Sequence, residues 1–139
     1  MKSSRLIHSG LSLVISEMGH GDSLAIADAG LPIPPTTKRI DLAVMKGVPS
    51  FLEVLDAVLS ELRVDRVLIA EEFSRVSPAL YAKLTARLER YSKATGQAVK
   101  IQAVSHTEFK KETGSARAVA RTGEFTPYAN ILLYSNVVF

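Results

Sequence analysis

RVLIAEEFSRVSPALYAKLTARLERYSKATGQAVKIQAV, residues Arg66–Val104, is the stretch that decides the fold. Its first five residues, Arg66 to Ala70, form a short apolar run of strand length with branched side chains, and read as a buried strand. Ser77 and Pro78 then open the best helical pattern in the chain, because proline fits a first helical turn whose N–H groups lack partners anyway. Leu80, Tyr81, Leu84, Leu88 and Tyr91 recur along one side, the period of a helix with one buried stripe. Gly96 ends it, since glycine readily takes the left-handed conformation that closes a helix. Val99 to Val104 reads as the next strand. A strand, a returning helix and a second strand make the unit from which parallel sheets are built.

The same alternation continues on both sides. Upstream, Pro49 and Ser50 open a helix with Phe51, Val54, Leu55, Val58, Leu59 and Leu62 in register, and Ser50 and Glu53 have the spacing of a capping box. Leu24 to Asp28 reads as a buried strand. Ala29 to Thr37 reads as a loop, because its three prolines cannot join a ladder, and Arg39 to Val44 reads as another strand. Ser9 is the expected cap of a short helix carrying Leu11, Val14, Ile15 and Met18, with Gly19 as its stop. Downstream, Ser105 and Glu108 frame a short helix through Glu112. Ala116 to Arg121 and Asn130 to Val138 are two further β-rich stretches, and Thr122 to Tyr128 is the loop between them. The pattern predicts an α/β fold: a three-layer α/β/α arrangement around a largely parallel central sheet, as a single domain over residues 1–139. In open sheets of this class ligands sit at the carboxyl ends of strands, where Asp28, the segment around His106 and the residues after Ala70 are expected to lie.

Composition narrows the function. Hydrophobic residues make up 47% of 139 residues and the mean hydropathy is +0.15. A surplus of that kind predicts apolar surface shared between subunits. There is no cysteine, which excludes disulfides, thiolate metal sites and cysteine nucleophiles and suits a reducing, cytoplasmic compartment. The start of the chain lacks the apolar core of a signal peptide, and no apolar run approaches the ~20 residues that cross a bilayer. The net charge is +3, yet the cluster Lys110, Lys111, Arg117 and Arg121 is interrupted by Glu108, Glu112 and Glu124. A nucleic-acid surface would show a basic stripe, so neither nucleic acid nor membrane is an expected partner.

Motif chemistry is mostly absent. There is no GxxxxGK[ST] phosphate loop, and Gly19-His20-Gly21 precedes a strand where a dinucleotide site needs glycines after one. No GxSxG turn occurs. His8, His20 and His106 share no metal-ligand spacing. The expectation is an activity without cofactor or metal.

Five short segments remain as candidates. His20 lies between two glycines on a turn before a strand; it is either a general acid/base, since imidazole titrates nearest neutral pH, or a surface-turn histidine. Asp28, at a strand end before the proline loop, can orient an imidazole, grip hydroxyl groups, or merely cap a turn. His106 stands at another strand-to-helix junction, as a ligand group or as part of the helix's first turn. Tyr128-Ala129-Asn130 leads from a polar loop into an apolar strand, and its phenol and amide suit hydroxyl recognition or plug a turn. Glu71 and Glu72 are paired carboxylates for acid/base work, or a charged strand end.

Taken together, the residues resemble the D-ribose pyranase family (the RbsD/FucU group). The segments that carry the resemblance are Met18-Gly-His-Gly-Asp22, Asp28-Ala-Gly-Leu-Pro-Ile-Pro34, Gly47-Val-Pro-Ser-Phe51, Ala70-Glu-Glu72 and Gly123-Glu-Phe-Thr-Pro-Tyr-Ala-Asn-Ile-Leu-Leu133. They span nearly the whole chain, and their order and spacing are more specific than any one motif. The resemblance implies an isomerase that interconverts the pyranose and furanose forms of D-ribose and supplies the furanose to ribokinase. It implies His20 as proton donor, and Asp28, His106, Tyr128, Ala129 and Asn130 as sugar contacts. It also implies a homodecamer of stacked pentamers with active sites at subunit junctions. The sister L-fucose mutarotases share the MGHGD turn but lack the GLPIP run and the TPYAN form, so the resemblance favours ribose. A fucose-type mutarotase and a non-catalytic sugar-binding module are the alternatives.

Overall fold

The computed structural model describes residues 1–139. Six strands form one sheet: β1 Ser23–Ala27, β2 Arg39–Asp41, β3 Val64–Ala70, β4 Lys100–Val104, β5 Ala118–Arg121 and β6 Ile131–Ser135. Their order is β2-β5-β1-β6-β3-β4. β1–β5, β2–β5 and β3–β4 pair in parallel, whereas β6 runs antiparallel to both β1 and β3. Five strands therefore point one way and β6 reverses, so the sheet is largely parallel, as expected.

Helices α1 Ser9–Glu17, α2 Phe51–Leu59, α3 Glu71–Val76 and α4 Pro78–Thr95 contribute to one large core. That core unites 23 buried residues, with Leu24, Ile26, Val67, Ile69, Ile131 and Leu133 rising from the sheet. Helix α5 His106–Glu112 contributes Phe109 to a separate cluster of nine on the opposite face. The alternation of β1 explains the asymmetry: Leu24 and Ile26 face the large core while Ala25 and Ala27 face the small one.

Several local expectations need correction. The cap of α1 is His8, whose Nδ1 accepts the Leu11 N–H at 3.2 Å, and Ser9 is already helical. An imidazole nitrogen serves as the acceptor that a serine hydroxyl would supply. The Ser50–Glu53 capping box forms in both directions, but at α5 only the Ser105 half forms, because the Glu108 carboxylate pairs with Lys111 at 2.8 Å. β2 stops at Asp41, well short of Val44, since residues 44–48 fold into a turn of their own with Val44 N–H bonded to Val48 O. The last strand ends at Ser135, and Val137 to Phe139 are exposed. Helix α3 was not expected: its six residues bury only Phe73, too short a span for a helical period to register.

Candidate functional site

The carboxyl ends of β1, β3 and β4 and the loop entering β6 converge on one corner of the sheet. β1 delivers Asp28 immediately past its last residue. Gly30 N–H donates to Asp28 Oδ1 at 2.9 Å, an Asx turn that starts the proline loop. Across from it, Asn130 Nδ2 donates to Asp28 Oδ2 at 2.9 Å and Asn130 Oδ1 accepts the Asp28 N–H at 2.8 Å. This two-way clasp joins residues 102 positions apart. Asn130 is fully buried and Asp28 half-buried, so the amide spends its capacity holding the carboxylate while the carboxylate still meets the surface.

Tyr128, two residues earlier, has a positive φ of 62°, a conformation that an L-residue keeps only where its surroundings hold it. Its ring meets His106 edge to face, with centroids 5.0 Å apart and planes at 86°. Asp28, Gly30, Leu31, Pro32, His106 and Tyr128 line a cleft of about 260 Å³. Ala129, expected as a sugar contact, lies fully inside the large core and does not line the cleft.

His106 opens α5 from the end of β4. Its backbone N–H donates to Glu72 Oε2 at 3.1 Å, while its Nδ1 is buried with no hydrogen-bond partner. A buried imidazole nitrogen without a partner in its own chain is uncommon. Glu72, read from the sequence as an acid/base candidate or a strand-end charge, is instead the carboxylate that fastens the His106 backbone. Nothing local in the sequence signals that tie, because its two ends are 34 residues apart. Glu71 is exposed at the start of α3.

His20 stands apart from this group. Its turn is fixed at the opposite end of β1: Gly21, with φ +83°, donates to Ser135 O at 2.9 Å, and Gly19 N–H donates to Asp22 Oδ2 at 2.9 Å. Five residues of strand at ~3.3 Å each put roughly 16 Å between the turn and Asp28. The reading in which Asp28 orients this imidazole is therefore corrected within one chain. His20 is exposed and free to meet something outside its own chain. No group of three or more His, Asp or Glu side chains is arranged to hold a metal ion, and no helix is long and apolar enough to cross a membrane.

A carboxylate–amide clasp, an imidazole and a phenol at the strand ends of a three-layer α/β/α fold define a domain built to hold a small polar molecule without a phosphate loop or a nucleotide fingerprint. The chain belongs to the RbsD / FucU transport protein family, which it matches over residues 1–138. It is 51% identical to the D-ribose pyranase of Vibrio parahaemolyticus serotype O3:K6 (strain RIMD 2210633), with 100% of both chains covered. Bacillus subtilis RbsD, whose structure is complexed with D-ribose, is 37% identical with a TM-score of 0.85 over 100% of both chains. The fucose mutarotase of Streptococcus pneumoniae, solved in complex with L-fucose, is 26% identical with a TM-score of 0.82, again over 100% of both.

Proposed function

We propose that this chain, acting as one domain, interconverts the pyranose and furanose rings of free D-ribose. One observation carries the reading: Asp28, His106 and Tyr128, from three distant segments, line one strand-end cleft, with the buried Asn130 clasping Asp28, in a chain that aligns end to end with a D-ribose pyranase and a D-ribose complex. The reaction needs only proton transfers. Loss of the anomeric hydroxyl proton, with protonation of the ring oxygen O5, breaks the C1–O5 bond and gives the open aldehyde. Attack by O4 on that aldehyde, with the proton movements reversed, closes the furanose. A placed acid/base contributes typically 10²–10⁴-fold to such a step.

In this reading Asp28 accepts sugar hydroxyls on the lone pairs that Gly30 and Asn130 leave open. Tyr128 and the ring of His106 shape the wall and bond further hydroxyls. Ala129 and Asn130, expected as sugar contacts, are both fully buried in the chain and support the site from behind, Asn130 through its clasp on Asp28. His20 gives and takes the proton at the ring oxygen. Because His20 sits at the far end of β1 from Asp28, the working site is assembled from two copies, His20 coming from one and the sugar contacts from the other. We propose a homodecamer of stacked pentamers, with sites at its junctions, working in the cytoplasm and feeding furanose to ribokinase.

Saturation-transfer NMR on D-ribose tests the activity: the protein should accelerate pyranose–furanose exchange, and should do so faster than it exchanges the anomers of L-fucose at equal concentration. His20→Ala and Asp28→Asn proteins should each be inactive, and mixed oligomers refolded from both should regain exchange. A wild-type protein without acceleration would reduce it to a sugar-binding module. Failure of the mixed oligomers would place His20 outside the site.

A further inference from the structure

Glu124 lies behind the cleft, bonded both to Ala29, next to Asp28, and to Thr126, two residues before Tyr128. Its backbone carbonyl accepts the Ala29 N–H at 2.8 Å, beside Asp28. Its own N–H donates to Thr122 Oγ1 at 3.1 Å, and that hydroxyl in turn donates to Ala27 O at 2.8 Å, at the end of β1. Its carboxylate faces the other way. Oε1 accepts both the Thr126 hydroxyl at 2.7 Å and the Thr126 N–H at 3.2 Å. Oε2 accepts the Phe51 N–H at 3.3 Å, the first residue of α2.

Thr126 begins the turn that sets Tyr128 at positive φ, with Ala129 N–H closing back on Thr126 O at 3.4 Å. A residue in that conformation carries strain of order 1–3 kcal/mol and keeps it only where neighbours over-determine the backbone. Three side-chain ties hold residues 126–130 to the rest of the fold: Glu124 on Thr126, Ser77 Oγ donating to Pro127 O at 2.8 Å, and the clasp of Asn130 on Asp28; of these, Glu124 is the one that reaches α2. We propose that Glu124 is a positioning residue for the sugar site, tying the 126–130 turn to the rigid start of α2 so that Tyr128 faces His106. The inference rests on the D-ribose reading for its kinetic consequence but not for its structural one.

The kinetic consequence is selective. Glu124 acts on the half of the site that grips the sugar, whereas His20 stands on another turn. Glu124→Ala should therefore raise KM for D-ribose by on the order of tenfold, since misplaced binding groups lose affinity, while kcat stays within about twofold. A residue needed only for folding would lower the amount of active enzyme and leave KM alone. Glu124→Gln keeps one acceptor for Thr126 but turns an amide N–H₂ or a lost bond toward Phe51, and should fall between. Thr126→Val tests the same tie from the other end. Because both act through one turn, adding Thr126→Val to Glu124→Ala should change KM little further.

The structural readout is the NMR shift of the His106 ring, which feels the ring current of Tyr128 across 5.0 Å. It should move in Glu124→Ala and in Thr126→Val alike. If wild-type protein does not exchange D-ribose, the functional reading fails and this shift still tests the tie. Unchanged KM and unchanged His106 shift in both variants would overturn the inference; should Glu124→Ala fail to fold, Thr126→Val alone decides it.

Discussion

Exchanging one atom of the clasp between Asp28 and Asn130 gives a sharp test of how the site is held. Asn130→Asp replaces the Nδ2 donor, 2.9 Å from Asp28 Oδ2, with a second carboxylate oxygen. The hydrogen bond to a charged acceptor is lost, a change of about 1.5–3 kcal/mol. Two unit charges ~3 Å apart would add about 5–6 kcal/mol of repulsion at an effective dielectric of 20, but Asp28 is half-exposed and the pair can relieve itself by taking up one proton. The expected net loss at pH 7 is about 3 kcal/mol, or roughly 10 °C in Tm for a domain of this size. The pH dependence fixes the cause. The pair holds a proton more tightly folded than unfolded, so its carboxyl pKa is raised by folding, and the variant should recover stability as pH falls toward 5. Reversing the polarity with Asp28→Asn in the same chain restores a donor facing a carboxylate, and should return most of the stability without returning ribose exchange. Differential scanning calorimetry at fixed protein concentration across pH 5 to 8 supplies the data. A single variant as stable as wild type at pH 7, or a double variant no better than the single, would refute the clasp as the element that joins β1 to the loop before β6.

Two further predictions concern the frame around the site. The buried Tyr91 hydroxyl accepts the Val64 N–H at 2.8 Å and donates to Leu62 O at 3.0 Å; Tyr91→Phe orphans both and should cost about 2 kcal/mol in urea unfolding. Burial holds the Tyr91 pKa above its ordinary value, with a smaller opposing effect from the Val64 N–H. Its contribution is therefore full below about pH 10 and lost as pH rises through the folded-state pKa, so the gap between wild type and Tyr91→Phe should narrow above pH 10; a constant gap would contradict the assignment. At Gly123 an added Cβ would lie 2.5 Å from Val48 O and 2.6 Å from Val48 N, and closer still to Met45 O, all backbone. Gly123→Ala should accordingly displace the 45–48 turn, lower Tm by several degrees and weaken ribose exchange through its neighbour Glu124, and an unperturbed Tm would show that the turn moves freely.

What the sequence determined was whatever has a local period or a local cap. The strands of residues 66–70 and 99–104, the long helix with Leu84, Leu88 and Tyr91 buried, and the Ser50–Glu53 box could all be read because the responsible residues lie within one or two turns of each other. From these the three-layer class and the strand-end location of Asp28 and His106 followed, and the ordered segments from MGHGD to TPYAN carried the family. The tertiary structure decided everything that depends on which distant segments touch. The antiparallel insertion of β6 between β1 and β3 has no signature in a run of apolar residues, since an apolar strand reads the same in either direction. That insertion is what sets Asn130 against Asp28. The ties of Glu72 to His106 and of Glu124 to Phe51 were invisible for the same reason: a carboxylate's partner 34 or 73 residues away leaves no spacing to read. The separation of His20 from Asp28 was the deepest of these decisions. In sequence they are eight positions apart and look like neighbours; an extended strand between them turns that short spacing into the full width of the sheet.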